Sequence, residues 1–373
     1  MNSMQKRMRF IASNTAKIGV AVFVFACASL LFLGVSDSSV LAQSGVPNPP
    51  LDQIDRVGLH ILQLHELDQA SAALADLYAP SSLTVLGVQS DSLPDTNQPA
   101  EKWRYLTIPF TLDDLHKLAE WQQFFNEARE QKIIPLVRLT TRFEGDAWKQ
   151  PTRKEVVDQI SALNTLDWPT QKKHIIVFNE VNHAAEWGGE LAPEKYAEYL
   201  LFASLWAKAE DSDFVVLPAA MDLAAPNGSI TMEAFTYLNR MITFNPGVFD
   251  YIDVWNSHSY PNPAFSAAPN RTGQNSLRGF QYELDFIKER TNRDLPVMIT
   301  ETGWDLNRST QRQLPQYYAS TLQHIWSDSR VLAVTPFILR GDPGPFAGFG
   351  FIDRNNQPTA QYNALKWALQ EVQ

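Results

Sequence analysis

Two glutamates in this sequence follow directly on apolar runs that are typical of buried strands. Residues 297–304 read VMITETGW and lead into Glu301, and residues 174–180 read HIIVFNE and lead into Asn179 and Glu180. A carboxylate at the end of a buried strand is unfavourable unless it is solvated, paired or used. One such acid is usually a helix N-cap or a solvated loop charge, whereas two in equivalent places indicate a shared role.

Two carboxyl groups that face each other have a well-defined chemistry. At a separation of about 5–5.5 Å, one can attack an anomeric carbon while the other protonates the leaving oxygen of a glycosidic bond. A gap of about 6.5–9.5 Å admits a water molecule and gives inversion instead. The charge on an ionised nucleophile is expected to raise the pKa of its partner, which leaves one group ionised and one protonated near neutral pH.

Eight apolar runs of strand length alternate with longer amphipathic segments past residue 55. The segments 112–130, 193–209 and 314–328 repeat apolar residues every three or four positions, as helices do. Eight strand–helix units in about 320 residues predict an α/β protein with a (β/α)8 TIM barrel. The runs are VGLHIL (57–62), WRYLTIPF (103–110), IIPLVRL (133–139), HIIVFN (174–179), FVVLP (214–218), YIDVWNSH (251–258), PVMITE (296–301) and VLAVTPFIL (331–339).

A doubly wound open sheet is the alternative fold, and it usually carries a glycine-rich phosphate turn after its first strand. The first run and its continuation, VGLHILQLHELDQA, contain no such turn. Residues 79–102 leave two alternatives for the strand count, since TVLGV (84–88) can be read as an extra strand or as the true second strand. In a barrel, Glu180 and Glu301 would end the fourth and seventh strands and would face each other at the catalytic end.

The motifs FNE, HSY and TETGW at three of these strand ends resemble the retaining (β/α)8 glycoside hydrolases of clan A. That clan includes the family 5 cellulases and mannanases and the family 39-like enzymes, and the resemblance in architecture covers essentially the whole mature chain. It implies a retaining glycosidase acting on an oligo- or polysaccharide, with Glu301 as the nucleophile and Glu180 as the general acid/base. It further implies that Asn179 binds the sugar 2-hydroxyl, that Tyr260 donates to the nucleophile, and that His258 lines the same subsite.

Other candidate residues have open alternatives. Arg138, near the end of the third strand, could hold the nucleophile ionised or form a purely structural ion pair. The sequence departs from the clan in having Val181 after the acid, where many members have proline. It also has Phe337 where many members carry a tryptophan platform at the eighth strand. Trp304 or Trp187 could replace that platform, although a tryptophan in a barrel often packs between helix and strand.

No metal or organic cofactor is expected for this chemistry. His60 and His65 do not have the His-x-His spacing of a barrel metal site. His60 could point into the barrel mouth and contact substrate or be a structural histidine with satisfied nitrogens, and His183 could line the cleft from its loop. A nucleophile elbow of the Gly-x-Ser-x-Gly kind and a Walker phosphate loop are both missing from the sequence.

The first 42 residues read as an export segment. Basic residues precede the apolar run 18–35, and Val40-Leu41-Ala42 offers small residues to a signal peptidase. The sequence therefore predicts a signal peptide cleaved after Ala42, or a retained membrane anchor, and a protein that is secreted or held on the outer face of the membrane. A Pro-rich lead-in at residues 43–55 would precede the catalytic domain at 56–373. The only cysteine, Cys27, lies inside the apolar run.

The net charge of −10, without a basic stripe in the body of the chain, argues against a nucleic-acid partner. Two other functions stay open at this point. The altered motifs after the fourth and eighth strands would also suit a barrel that binds polysaccharide without cutting it. A metal-dependent barrel hydrolase is the other alternative, and the histidine spacing speaks against it.

Overall fold

A computed structural model describes residues 45–79, 101–309 and 311–372 of the chain. In these residues eight parallel strands form one sheet in the order β5-β4-β3-β2-β1-β8-β7-β6. This order is that of a barrel opened at one junction. The strands are β1 Ile54–His60, β2 Trp103–Phe110, β3 Ile133–Leu139, β4 Lys173–Val177, β5 Phe214–Pro218, β6 Trp255–Ser257, β7 Val297–Ile299 and β8 Val331–Val334.

The two edge strands, β5 and β6, meet and nearly close the ring. The backbone N–H of Asp253 donates to the carbonyl of Val216 (3.0 Å), and Asn256 Nδ2 donates to the carbonyl of Pro218 (3.1 Å). An isolated parallel bridge between Asp222 and His258 continues this seam toward the carboxyl ends of the strands. The predicted (β/α)8 barrel is therefore confirmed.

Helices follow the strands in regular alternation. The predicted helix 112–130 divides into a 3-10 helix, Leu112–His116, and an α-helix, and the helix predicted at 314–328 already ends at His324. Thr152 and Glu155 form a reciprocal capping box at the start of α3, and Pro193 opens α4. The α-helices are α1 Leu67–Leu77, α2 Leu118–Glu130, α3 Arg153–Asn164, α4 Pro193–Glu210, α5 Ala234–Phe244, α6 Gly279–Thr291, α7 Leu314–His324 and α8 Ala360–Val372.

Side-chain alternation along the strands decides which residues face the inside of the barrel. One buried cluster contains residues from strands or their immediate neighbours and none from a helix, so it fills the barrel interior. Ile134 and Leu136 on β3 belong to this cluster. Since successive side chains of a strand point to opposite faces, Arg138 projects to the same interior, one step nearer the carboxyl end. Val254 also belongs to the cluster, and His258 lies four positions further along the chain. By the same alternation, His258 faces the interior at the carboxyl end of the barrel.

The second strand of the sheet is Trp103–Phe110, which pairs with both β1 and β3. The segment TVLGV and the predicted signal or anchor segment, 1–42, lie outside the described residues. Within the described part of the chain, no helix is long and apolar enough to cross a membrane. Of the lead-in, residues Leu51–Gln53 form a 3-10 helix, and β1 begins at Ile54, three residues before the predicted strand.

Candidate active site

Glu180 reaches the barrel mouth because the chain turns sharply where β4 ends. Phe178, the first residue after the strand, has φ = 73°, in the left-handed region that is uncommon for a residue other than glycine. Its ring is buried and packs edge-on against Trp187 with the ring centroids 5.5 Å apart. This packing holds a strained conformation of the kind that clusters at functional sites. The turn leaves Asn179 and Glu180 at the carboxyl end of the strand.

Glu301 is fixed by the two threonines beside it. Thr300 Oγ1 donates to Asn256 Oδ1 (2.6 Å), and Thr302 Oγ1 donates to the carbonyl of Ser259 (2.7 Å). Both threonines are fully buried. The hydroxyl groups therefore tie the backbone on each side of Glu301 to the neighbouring strand, β6, and its loop.

The glycine in the TETGW motif is required by the backbone. Gly303 has φ = 142°, and a Cβ atom added there would lie 3.2 Å from the carbonyl oxygen of Phe337. Both observations favour glycine at this position. The turn at Gly303 carries the chain away from the barrel mouth, so that the next residue, Trp304, enters the core.

The two glutamates meet across the mouth. One ligand-type atom each of Glu180, His258 and Glu301 lies within 4.8 Å of the other two, so the carboxylate oxygens of the glutamates approach to that distance or less. His258 stands between them, with its Nδ1 2.8 Å from Glu180 Oε1 and 3.6 Å from Glu301 Oε2. Acids from strands β4 and β7 thus share one crevice.

Glu301 is held as a carboxylate by a cation and a phenol. Arg138 Nη1 donates to Glu301 Oε1 (2.6 Å), and Tyr260 Oη donates to Oε2 (3.1 Å). Burial by itself would raise the pKa of Glu301, but the charges of His258 and Arg138 outweigh it and hold that pKa well below its usual range. Burial and the charge of Glu301 raise the pKa of Tyr260 well above 10, so its hydroxyl stays a donor.

The partners of His258 fix its tautomer. Arg138 Nη2 lies 3.5 Å from His258 Nε2, and a guanidinium can only donate hydrogen bonds. In the neutral ring Nε2 is therefore the acceptor and Nδ1 carries the hydrogen, and in the imidazolium both nitrogens carry one, so that Nδ1 donates to Glu180 in either state. In the neutral form the imidazole links Arg138 to Glu180, and the three strands β3, β4 and β6 share one polar network.

His60, at the end of β1, faces the nucleophile candidate. It is 1% exposed, its Nδ1 is 3.9 Å from Glu301 Oε1, and neither ring nitrogen has a hydrogen-bond partner among the described residues. Burial, and next the charge of Arg138, lower the pKa of His60 to about 3, so the ring is neutral. His60 is thus not a structural histidine whose nitrogens are satisfied by the described residues, and its contact with substrate stays a prediction.

Phe337 belongs to an aromatic wall beside Glu301. Its ring meets His60 edge-on with the centroids 5.1 Å apart, and it packs in one cluster with Tyr260 and Phe349. It is 8% exposed. Phe337 therefore lies at the barrel mouth, beside the pair Glu180 and Glu301, where many members of the clan have tryptophan.

Trp304 does not lie in the cleft, which corrects the prediction that it could serve as a sugar platform. It is fully buried, packs edge-on against Tyr318 on α7, and donates its Nε1–H to the carbonyl of Ala267 (2.9 Å). The ring therefore packs between helix and strand, and the turn at Gly303 directs it into this layer. Trp187 is also buried, at 1% exposure, among Phe178 and aromatic residues of α4, and it lines a small pocket beside Asn179.

His183 lies on the loop after β4 and turns toward β5. Its Nε2 is 2.9 Å from Asp222 Oδ2, and this hydrogen bond raises the pKa of His183 above its ordinary value. The side chain is half-buried. The partner of His183 is thus Asp222, which is not one of the two acids of the pair. Contact of His183 with substrate stays a prediction.

A third carboxyl group at this site, that of Glu186, was not predicted from the sequence. Burial first, and then the negative charge of Glu180, raise the pKa of Glu186 to about 7, while a polar contact with the Asn179 side chain opposes the shift. Glu186 ends the 3-10 helix Ala184–Glu186, six residues after Glu180. The only signal was the acid before tryptophan in EVNHAAEWGG, which also reads as an ordinary loop charge.

Glu180, His258 and Glu301 also have the spacing of metal ligands, since their ligand atoms lie within 4.8 Å of one another. Arg138 already places its guanidinium 2.6 Å from Glu301 in this cluster. A second cation on the same carboxylate would be repelled at short range. The charge of Glu301 is thus balanced by Arg138.

A parallel eight-stranded barrel with two carboxyl groups at the carboxyl ends of its strands is the architecture of the (β/α)8 glycoside hydrolases. The family model described as glycosyl hydrolase catalytic core matches residues 121–361, which is more than half of the chain. The protein belongs to this family, as its motifs predicted. A comparison with curated proteins found no match.

Solved structures with the same fold are distant in sequence. A family 39 glycoside hydrolase from Bacteroides cellulosilyticus WH2 superposes with a TM-score of 0.57 at 12% identity, over 87% of this chain and 65% of that chain. A family 5 subfamily 18 protein from Bifidobacterium longum subsp. infantis gives 0.55 at 13% identity, over 85% and 78%. A variant of a protein of that subfamily from Streptomyces cattleya, in complex with Manβ1-4GlcNAc, gives 0.55 at 15% identity, over 85% and 80%. The chain thus spans less than two thirds of the family 39 enzyme.

Proposed function

We propose that this protein is a retaining glycoside hydrolase that cleaves β-configured O-glycosidic bonds of an oligo- or polysaccharide. The observation that carries the proposal is the approach of the Glu180 and Glu301 carboxylates to 4.8 Å or less. This approach suits the separation of about 5–5.5 Å of retaining enzymes better than the gap of about 6.5–9.5 Å of inverting ones. The family membership supports the same reaction class.

In the first step, Glu301 attacks the anomeric carbon while Glu180 gives its proton to the leaving oxygen. The C–O bond to the leaving group breaks as the Glu301–carbon bond forms, which leaves a covalent glycosyl-enzyme. The low pKa of Glu301 supports this assignment, since a nucleophile has to be ionised. Arg138 and Tyr260 hold the two carboxylate oxygens in place while the attack occurs.

In the second step, Glu180, now ionised, removes a proton from a water molecule that attacks the same carbon. The bond to Glu301 breaks, and the sugar leaves with its original configuration. His258 donates to Glu180 throughout and keeps its carboxyl group beside the reaction centre. Asn179, adjacent to Glu180, binds the 2-hydroxyl group of the sugar.

Export is part of the proposal. The apolar run 18–35 with its basic flank would direct the chain to a membrane, and the protein would then act on polysaccharide outside the cell, either released or anchored. N-terminal mass spectrometry of the protein recovered from its natural host measures the boundary. A mature chain that begins at Gln43 supports the cleaved signal, and an intact Met1 in the membrane fraction supports the anchor.

Single substitutions of the two acids test the mechanism. With an aryl glycoside that the wild type cleaves, Glu301→Ala and Glu180→Ala are each expected to abolish turnover. Azide is expected to restore activity to Glu301→Ala with a product of inverted configuration, because the small anion fills the place of the nucleophile. Glu198→Gln, an exposed glutamate on α4, is the control. Wild-type rates in both acid variants would overturn the proposal.

A glycan-binding barrel without hydrolytic activity is the second candidate, and the observation behind it is the departure from the clan motifs at Val181 and Phe337. Binding of the wild type to a glycan array, with no reducing sugar released over days, would favour this function. Release of reducing sugar from a bound glycan would exclude it.

A further inference from the structure

A narrow pocket opens beside the acidic pair, between the loops that follow β3 and β4. Asn179, Glu186 and Trp187 line it from the β4 side, and Thr141 and Trp148 line it from the β3 side. The space left between them holds about one water-sized group. Asn179 directly precedes Glu180, so this pocket adjoins the subsite in which the bond is cleaved.

The two loops are joined, which keeps the pocket narrow. The N–H of Gly188 donates to the carbonyl of Trp148 (2.7 Å), and Gln150 Nε2 donates to the carbonyl of Trp187 (3.4 Å). Gly188 has φ = 66°, and a Cβ atom there would lie 3.2 Å from the backbone nitrogen of Gln150. The close approach of the loops therefore depends on glycine, and neither loop can move outward without breaking these bonds.

The pocket contains an acid without a cationic partner. Within the described residues, no basic side chain lies within ion-pair distance of Glu186. Lys149 lines the same pocket, but its ammonium group is 3.1 Å from Glu155. A half-buried carboxyl group beside an amide suits a ligand that can both donate and accept a hydrogen bond, which a hydroxyl group does. It opposes an anionic group by charge repulsion.

The protonation of Glu186 is consistent with this ligand. Its pKa of about 7, raised by burial and by Glu180, means that near neutral pH the carboxyl group exists in both forms. The protonated form can donate to a hydroxyl oxygen, and the ionised form can accept from the hydroxyl hydrogen.

We propose that Glu186 is a specificity-determining residue, which together with Asn179 binds the hydroxyl group on C2 of the sugar that is cleaved. The pocket then excludes larger or anionic substituents at that carbon, such as an acetamido or a sulfate group. This inference rests on the proposed glycosidase function and on the place of Asn179 in it. It narrows the substrate class to glycosides with a free 2-hydroxyl group.

The experiment uses matched aryl glycosides. The wild type is first screened for the neutral aryl glycoside that it cleaves fastest, and the 2-deoxy and 2-acetamido counterparts of that compound are then assayed. Glu186→Ala is expected to lower kcat/KM on the 2-hydroxy compound by about 10- to 100-fold, the value of one hydrogen bond to an ionisable group. It is expected to change kcat/KM on the 2-deoxy compound less than threefold (roughly 0.6 kcal/mol).

Two controls separate recognition from a structural effect. Glu198→Gln changes an exposed glutamate on α4 that does not line the pocket, and it is expected to leave both rates unchanged. Glu186→Gln retains the shape and the hydrogen-bonding capacity of the side chain, so it is expected to keep most of the preference for the 2-hydroxy compound. A thermal melt of each variant confirms that it is folded.

The outcomes distinguish this inference from the proposed function. A loss confined to the 2-hydroxy compound supports it, as does a gain of 2-acetamido cleavage in Glu186→Ala. An equal loss on both compounds, no loss on either, or a wild type that prefers the 2-acetamido compound would overturn it while the glycosidase function stands. Failure of the wild type to cleave any glycoside would instead refute the proposed function.

Discussion

Arg138 Nη1 donates a 2.6 Å hydrogen bond to Glu301 Oε1, although the two residues lie 163 positions apart in the chain. Arg138 lies on β3 and Glu301 follows β7, and each is largely buried. A buried ion pair of this kind is weak evidence for stability, since desolvation offsets much of the attraction. Its role is better described as electrostatic: the guanidinium keeps the carboxylate charged inside the barrel mouth.

Replacing Arg138 is therefore expected to change the pH dependence of catalysis. In Arg138→Met, burial still raises the pKa of Glu301, but an opposing charge is lost, so the acidic limb of the kcat/KM profile should move to higher pH. Activity should therefore fall off at a higher pH on acidification than in the wild type, and below the raised pKa each unit of the shift costs about a factor of ten in kcat/KM. Arg138→Lys retains the charge and should move the limb less. An unchanged acidic limb in Arg138→Met would contradict this role.

Tyr260→Phe removes the other donor to the nucleophile without removing a charge. The loss of one hydrogen bond to a carboxylate is expected to lower kcat by about 10- to 100-fold. The melting temperature should change little, because the phenyl ring still packs in its aromatic cluster. Steady-state kinetics together with a thermal melt check both parts, and a wild-type kcat would show that the phenol does not support Glu301.

Glu283 on α6 makes stability depend on pH. It is 1% exposed and accepts a 2.5 Å hydrogen bond from Ser257 Oγ, and burial raises its pKa to about 7. Because the folded-state pKa lies above the ordinary 4.5, the stabilisation is complete below pH 4.5 and is lost as the pH rises through 7. The neutral variant Glu283→Gln should lose less melting temperature between pH 5 and pH 8 than the wild type. Parallel losses in the two proteins would argue against a titrating Glu283.

Removal of metal ions is expected to leave activity intact, because Arg138 already balances the charge of Glu301. The comparison is the rate on an aryl glycoside before and after dialysis against a chelator, followed by addition of divalent cations. A loss that the cations restore would favour the metal-dependent hydrolase and would assign Glu180, His258 and Glu301 as ligands.

Most of the barrel could be predicted because its strands are nearly uninterrupted apolar runs. Runs such as 103–110, 133–139 and 214–218 coincide with the strands of the structure. The predicted strands 251–258 and 331–339 are longer than those of the structure. Their last residues lie beyond the continuous strand pairing, at the barrel mouth. His258 and Phe337 therefore follow their strands instead of belonging to them.

The roles of single side chains were harder to predict, since they depend on turns that have no periodic signal. Glu186 enters the site because Phe178 adopts a left-handed conformation and because Gly188 permits the loop to close on Trp148. Trp304 leaves the site because the turn at Gly303 rotates it inward. An aromatic or acidic residue just past a strand looks the same in the sequence whether its side chain enters the site or the core. Only the backbone geometry distinguishes the two cases.

The seam between β5 and β6 links catalysis to the integrity of the ring. Glu180 and Glu301 follow β4 and β7. The shorter path around the ring from one to the other crosses this junction, where isolated hydrogen bonds replace a continuous ladder. A small breathing motion there would spread the carboxylates apart while the surrounding helices remain folded. In a urea titration, activity would then be lost at a lower urea concentration than the helical circular dichroism signal.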